Sequence, residues 1–199
     1  MNENTNDSSL ESLTGNKNSI TISNNEKEKS KIIKIIAELL KGICEESKSN
    51  KNNKEESLLL VKPFISKKIP SISIIDYIER LLSYSKISDK LFIIVLIYID
   101  RICGKHFINL NYNNIHKIIL ASFICTIKYY EDDYYSMNFY ARIGGITKKE
   151  LISLEYEFLV LIDFKLYVSN DLFEKYNNYL KTLDIEDDDF DIYDDSLDD

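Results

Sequence analysis

Residue types that commonly carry out chemistry occur at few positions of this sequence, and they do not combine into a catalytic set. His106 and His116 are its two histidines, and neither is followed by a histidine or cysteine three or four residues later. Metal sites on helices use such spacings, so the sequence predicts no metal site. Glu131, Asp132 and Asp133 adjoin one another at a predicted helix end. Solvated charge is expected there, whereas catalytic carboxylates occupy opposing walls of a cleft.

The other candidate patterns also favour structural roles. Cys125 lies within an apolar segment, which indicates a core thiol. Gly144 and Gly145 are adjacent, but no strand-like segment precedes them and no Lys-Ser/Thr pair follows. A phosphate-binding glycine loop is therefore excluded. The sequence predicts a protein that is not an enzyme, with no cofactor and no small-molecule substrate.

Two charged residues differ from the rest because of their surroundings. Lys128 follows the thirteen mostly apolar positions 115–127, and Glu155 interrupts the apolar stripe of the next long segment. Spacing alone favours a pair of ordinary surface charges. Their significance depends on the elements that carry them and on the family that the chain resembles.

These elements are predicted to be helices. Apolar residues at three- and four-residue spacing indicate helices over about 30–43, 70–84, 88–102, 115–127, 138–142, 147–162 and 170–183. Ser71 or Ser73 can cap the second helix and Ser88 the third, while Thr147 with Glu150 forms a capping-box pattern. The segment 115–127 is apolar on all sides, so we expect it to be the buried central helix of a bundle.

Composition supports this fold class and defines the ends of the chain. Five Gly and two Pro in 199 residues are too few for the turns of a β-sandwich or barrel or for a glycine-rich nucleotide-binding fold. Residues 1–29 hold few apolar side chains and are expected to be a disordered tail. Residues 30–57 form a helix and a polar loop, 58–183 form the bundle, and 184–199 form an acidic disordered tail.

Charge and cysteine content limit the partners and the compartment. Removing the ten acidic residues of 184–199 would change the net charge from −8 to +2, so the folded part has no strong basic field. We therefore expect no nucleic-acid partner and no membrane surface. No uncharged apolar run reaches the length of a membrane span, and no signal peptide is apparent. Three cysteines without CxxC spacing indicate free thiols, and together these features favour the cytoplasm, the nucleus or both.

Six segments have an order and spacing that resemble one protein family. They are PSISIIDYIERLLSY (70–84), VLIYIDR (95–101), NIHKIILASFICTIKYYEDDYY (114–135), NFYARIGGI (138–146), ELISLEYEFLVLIDFKLYV (150–168) and LFEKYNNYL (172–180). Over about Leu58 to Leu183 the chain resembles a cyclin, specifically the P/U-type cyclins associated with phosphate signalling. The most specific signal is YARIGGI followed by ELxxLExxFL, whereas IDR alone is weak.

This resemblance implies an all-α, five-helix cyclin box within 58–183, with an extra helix before it and a helix after it. It also implies a regulatory subunit that binds a cyclin-dependent protein kinase and holds the kinase's mobile helix inward. That movement closes the kinase's own Lys–Glu ion pair and opens its activation loop.

The resemblance also assigns the kinase-binding residues. In the family, a Lys at the end of box helix three and a Glu in box helix five contact the kinase helix, and the matching positions are Lys128 and Glu155. Phe164 and Leu166 match an apolar contact after helix five, and Tyr129 matches a common aromatic neighbour.

The sequence departs from mitotic cyclins in ways that leave questions open. Residues 71–75 replace their Met-Arg-Ala-Ile-Leu docking patch, so binding of Arg-x-Leu substrates is in doubt. The Arg of that patch normally pairs with the Asp of IDR, so Asp100 needs another partner, for which a Ser hydroxyl is one candidate. There is room for a single box, and the loop 47–57 is longer than expected.

Two alternatives to kinase activation remain. One is a cyclin-fold adaptor or scaffold that activates no kinase, for example in transcription. The other is a nucleic-acid binder like general transcription factor IIB, which is disfavoured because it requires tandem boxes and a basic face.

Overall fold

The computed structural model describes residues 31–48, 59–85, 87–88 and 90–188, with the backbone alone for 184–188. Predictions for 1–29, for most of the loop 47–57 and for 189–199 lie outside the described residues. Every regular element of the described part is helical. The elements are α1 (31–48), α2 (59–61) with a following 3-10 turn (Lys62–Phe64), α3 (Ile74–Ser85), α4 (Lys90–His106), α5 (Ile115–Tyr130), α6 (Met137–Gly144), α7 (Lys148–Leu161) and α8 (Asn170–Asp188).

Helix α5 is the centre of the bundle, as its sequence predicts. From Ile115 to Ile127 every residue except Lys117 is buried. The helix packs mainly against α4 and α7. Its buried hydroxyls are satisfied, because Ser122 Oγ donates to the Val95 carbonyl at 3.1 Å and Thr126 Oγ1 donates to the Ser122 carbonyl at 2.9 Å. The helices α3–α7 thus form the predicted five-helix box, with α1 before it and α8 after it.

Helix starts follow the predicted caps. Ser73 Oγ accepts a hydrogen bond from the Asp76 backbone N–H at 3.1 Å, which makes Ser73 rather than Ser71 the cap of α3. Thr147 Oγ1 accepts from the Glu150 backbone N–H at 3.1 Å at the start of α7. The Glu150 carboxylate lies 2.8 Å from Lys117 Nζ, so this pair links the beginnings of α5 and α7.

The glycine pair 144–145 ends α6 and brings it close to α5. Gly145 has φ of 73°, the left-handed conformation that favours glycine. The Ile146 and Gly145 backbone N–H groups donate to the Ala141 and Arg142 carbonyls, which is the hydrogen-bond pattern of a Schellman motif. A Cβ atom on Gly144 would lie 2.5 Å from Leu120 Cδ2, so a side chain at this position would have to displace the buried Leu120 side chain.

Most of the helices end later than the sequence predicts, and α1 and α8 do so by the largest margin, five residues each. The structure continues α1 through 48 and α8 through Asp188, so 184–188 are helical in backbone rather than part of an acidic disordered tail. The apolar stripe marks the part of a helix that packs on its neighbours. A further polar turn needs only backbone hydrogen bonds, and the stripe therefore underestimates helix length.

His116 is a buried histidine of α5. Its Nε2 lies 3.0 Å from the Ile72 carbonyl, its ring meets the Tyr77 ring edge-on at 5.1 Å, and its Nδ1 has no hydrogen-bond partner among the described residues. Burial lowers the pKa of His116 from its ordinary value of 6.5, against a smaller opposing effect of the Ile72 carbonyl. The folded protein therefore favours neutral imidazole.

The buried position of Ala121 gives the first prediction. Ala121 is fully buried on α5, and Ala121→Trp should overpack the core at a cost of about 1–3 kcal/mol or more. A lower melting temperature and weaker near-UV circular dichroism should report this. Ser153→Trp, at an exposed position of α7, is the matched control and should melt like the parent. Equal melting temperatures for the two variants would contradict the central position of α5.

The lowered pKa of His116 gives a second prediction, concerning stability against pH. The contribution of neutral His116 to the free energy of unfolding should be complete above pH 6.5, where imidazole is neutral in both the folded and the unfolded protein. It should be lost as the pH falls below 6.5 and through the folded-state pKa. The parent should therefore lose stability towards acid more steeply than His116→Phe, measured by urea unfolding from pH 7.5 to 5. Parallel pH profiles would contradict the assignment.

Candidate functional site

Lys128 and Glu155, which are 27 positions apart in sequence, meet on the surface of the bundle. Lys128 lies in the last turn of α5 and Glu155 in the middle of α7. Lys128 Nζ lies 2.6 Å and 2.9 Å from the two carboxylate oxygens of Glu155. Their side chains retain 31% and 14% of their exposure, so the pair is partly buried. The two predicted site charges therefore form one ion pair that remains accessible to a partner.

This ion pair contributes little to folding. Ion pairs that keep contact with solvent typically contribute about 0–1 kcal/mol. By comparison, burial of one Ile, Leu or Phe side chain contributes about 1.5–3 kcal/mol. The packing of α5 on α7 thus determines the position of the pair. Cys125, one turn earlier, belongs to that packing because only 2% of its surface is exposed. Its burial raises the pKa of its thiol to about 12.

The segment between α7 and α8, residues 162–169, is called here the α7–α8 linker. Asp163 and Phe164 both adopt left-handed backbone conformations, with φ of 54° and 55°. For residues other than glycine this costs on the order of 1–3 kcal/mol each, and it persists only where surrounding contacts fix the backbone. The turn leaves Phe164 62% exposed.

Side chains of α4 and α5 supply those contacts. Tyr98 donates its hydroxyl hydrogen to the Leu166 carbonyl, Arg101 donates to the Lys165 carbonyl, and Lys105 forms an ion pair with Asp163. From α5, the Tyr130 hydroxyl accepts from the Val168 backbone N–H at 3.0 Å. The linker is therefore held in one register against the bundle, and with it the side chains that it carries.

An open cleft lies beside the linker. It encloses about 430 Å³ and is lined by Arg101, Tyr129, Phe164, Lys165, Leu166 and Tyr167. Three of the predicted site residues, Tyr129, Phe164 and Leu166, thus share one surface. Since Lys128 and Tyr129 are consecutive in the last turn of α5, the ion pair and the cleft are neighbours. Exposed aromatic rings beside cationic groups suit a protein partner that buries apolar side chains there.

Asp100 finds a different partner from the Ser hydroxyl considered in the sequence analysis. Tyr176 of α8 donates its hydroxyl hydrogen to Asp100 Oδ2 at 2.6 Å. Burial, and then the hydrogen bond to Asp100, raise the pKa of Tyr176. This partner could not be identified from sequence because it depends on how α8 packs on α4.

Sequence reasoning missed the residues that hold the linker, namely Tyr98, Arg101, Lys105 and Tyr130. The motif IDR pointed to Arg101, but only as a weak family signal. No periodicity reveals that these side chains contact a segment more than thirty residues away, three of them at its backbone and Lys105 at the Asp163 carboxylate. Tyr129 and Tyr130 have different roles. Tyr129 lines the cleft, whereas the Tyr130 hydroxyl accepts a hydrogen bond from the Val168 backbone N–H of the linker.

The described residues form no cluster of metal ligands and no membrane-spanning helix. Within the described ranges, no group of three or more His, Cys, Asp or Glu side chains is placed to hold a metal ion. His106 Nε2 lies 2.8 Å from the Leu161 carbonyl, so this ring connects the ends of α4 and α7. Of the helices in the described part of the chain, none combines the length and apolar character needed to cross a membrane.

Comparison with known proteins identifies the family. The family model described as Cyclin matches residues 12–166. The protein named "PHO85 cyclin-7" of Saccharomyces cerevisiae is 34% identical over 138 residues, which cover 63% of this chain and 48% of that protein. "PHO85 cyclin-like protein psl1" of Schizosaccharomyces pombe is 40% identical over 119 residues, covering 59% of this chain and 49% of that protein.

A plant relative matches over a longer region. "Cyclin-U4-1" of Arabidopsis thaliana is 31% identical over 153 residues, covering 76% of this chain and 75% of that protein. The chain belongs to the cyclin family. Its relatives are PHO85 cyclins and U-type cyclins, which confirms the resemblance to the P/U type. The chain spans about half the length of the first curated relatives that it matches.

Proposed function

We propose that this cyclin is a regulatory subunit that binds and activates a cyclin-dependent protein kinase. One observation carries the proposal: Lys128 and Glu155, the positions that match the family's kinase-binding pair, form a single ion pair beside an exposed aromatic cleft. The chain itself is proposed to be non-catalytic, and the kinase supplies the phosphoryl-transfer site. The relatives named as PHO85 cyclins make PHO85, or a kinase like it, the first candidate partner.

The ion pair provides polar contacts of both signs to one helix of the kinase. Lys128 Nζ can donate to carbonyl groups of the kinase backbone while it stays beside Glu155. The Glu155 carboxylate can accept from backbone N–H or basic groups. When the kinase helix docks, it removes water from both charges. Hydrogen bonds to charged groups contribute more in such a dehydrated interface than at an exposed surface.

The cleft provides the apolar part of the contact. Phe164 is 62% and Tyr129 48% exposed, and Leu166 is partly buried. Full burial of a Phe or Leu side chain contributes about 1.5–3 kcal/mol. A change from about 1% to 99% of the active kinase requires about 5.5 kcal/mol of differential binding. The ion pair and the cleft residues together can supply this amount, whereas one contact alone cannot.

The complex is proposed to work in the cytoplasm, the nucleus or both, because Cys44, Cys103 and Cys125 are free thiols, as is usual in a reducing compartment. No nucleic acid, membrane or small-molecule ligand is proposed to take part.

Substitution of the ion pair gives the third prediction. Lys128→Ala and Glu155→Ala should each weaken binding to purified recombinant PHO85. Truncation of one desolvated partner of such a pair costs about 2–5 kcal/mol, which is about 30- to several-thousand-fold in affinity. Kinase activity should fall with binding. Because a partly exposed pair adds about 1 kcal/mol or less to stability, the melting temperature should change by only a few degrees.

The chain offers a matched control for this experiment. Lys117 and Glu150 also connect α5 to α7 at 2.8 Å, but at the other end of α5. Lys117→Ala should therefore leave the affinity for PHO85 unchanged. If the parent binds neither PHO85 nor a mitotic-type cyclin-dependent kinase, the proposal is wrong. If it binds PHO85 without raising its activity, the adaptor function is correct instead.

A further inference from the structure

We infer that Arg101 is a positioning residue for kinase binding, which acts by holding the α7–α8 linker so that Phe164 and Leu166 face the kinase. This inference rests on the proposed function and goes beyond it, because it assigns a role to a residue outside the family's kinase-binding pair. The inference is drawn from the hydrogen bonds between α4 and the linker backbone.

Three successive carbonyl groups of the linker accept hydrogen bonds from side chains of the bundle. The Arg101 guanidinium donates to the Lys165 carbonyl, and through its second terminal nitrogen to the Tyr167 carbonyl at 3.5 Å. The Leu166 carbonyl between them accepts from Tyr98, and from Tyr130 at 3.4 Å. A backbone held at three consecutive positions cannot slip by one residue without losing all of these bonds.

The guanidinium is suited to this role by its shape. Its planar fork presents donors in fixed directions, so one side chain can reach two carbonyls two residues apart, which a lysine ammonium cannot match. The Arg101 guanidinium also lies 5.7 Å from the centre of the Tyr98 ring. Arg101 is therefore packed and oriented by the same helix that contributes Tyr98.

Asp100, the neighbour of Arg101, anchors the helix that follows the linker. Asp100 accepts the hydroxyl hydrogen of Tyr176 on α8, so consecutive residues of α4 hold the linker and the helix that follows it. The linker is thereby ordered before any partner arrives. An ordered segment loses less conformational freedom on binding, which favours affinity.

The role is separable from that of the ion pair. Lys128 and Glu155 lie on α5 and α7 and do not depend on the linker conformation. Arg101 also lines the cleft, so the test must separate its action through the linker side chains from a direct contact of its guanidinium with the kinase. A double-mutant cycle with Phe164 detects such dependence, since two residues that act through one another have non-additive effects.

The fourth prediction tests this in the full chain with purified PHO85. Arg101→Met keeps the apolar stem and removes the donors. It should weaken affinity about tenfold, the typical worth of a hydrogen bond to a charged group. The loss should remain tenfold in a Lys128→Ala background but shrink to about threefold or less in a Phe164→Ala background, where Leu166 alone still depends on the linker. Arg101→Lys should restore only part of the affinity.

Two results would overturn the inference while leaving the proposed function intact. One is an equal loss for Arg101→Met in the parent and Phe164→Ala backgrounds. The other is full recovery of affinity in Arg101→Lys, because charge alone would then be sufficient.

A measurement on the free chain tests the inference without the kinase. Amide hydrogen exchange over 162–169 should become faster in Arg101→Met, while exchange in α5 stays as in the parent. Unchanged exchange in the linker would overturn the inference whether or not PHO85 binds. A parent chain that fails to bind PHO85 would instead count against the proposed function alone.

Discussion

The burial of α5 on every side is the constraint on which the rest of this structure depends. A helix with apolar side chains all round cannot lie at a surface. Helices α4 and α7 pack against α5, and α6 contacts it through Gly144 and Tyr140. Each buried Ile or Phe contributes about 1.5–3 kcal/mol, so the core outweighs any single surface contact. Apart from Lys117 near its start, the helix reaches solvent where its sequence changes to Lys128, Tyr129 and Tyr130. The candidate site lies where α5 emerges, beside the accessible face of α7.

In the α7–α8 linker, side-chain hydrogen bonds compensate for backbone strain. Two left-handed residues, Asp163 and Phe164, cost on the order of 1–3 kcal/mol each. A hydrogen bond from a neutral donor typically contributes about 0.5–1.5 kcal/mol to stability, and one from a charged donor about 1.5–3 kcal/mol. The contacts of Tyr98, Arg101 and Tyr130 with the linker are of the right size to offset this strain. The outcome is an aromatic side chain kept in water, which a protein partner can bury.

Much of the fold could be predicted from the sequence, because its signals are local. The apolar spacing located all seven long helices, and the Ser73 and Thr147 caps located two of their starts. The stripe placed most helix ends too early, and those of α1 and α8 by the most, because polar residues continue these helices. The family resemblance selected Lys128 and Glu155, but only the structure shows that they bind each other. The partner of Asp100 and the role of Arg101 depend on the packing of α4 against distant segments, which no local pattern encodes.

The central claim is that the surface around Lys128, Glu155 and Phe164 is the one that meets the kinase. A structure of the full chain bound to PHO85, at a resolution that shows side chains, tests it most directly. We expect Lys128 Nζ and a Glu155 carboxylate oxygen to lie within hydrogen-bonding distance of one kinase helix, with the Phe164 ring buried against the kinase. A complex in which PHO85 contacts another face, with Phe164 still in water, would contradict the account.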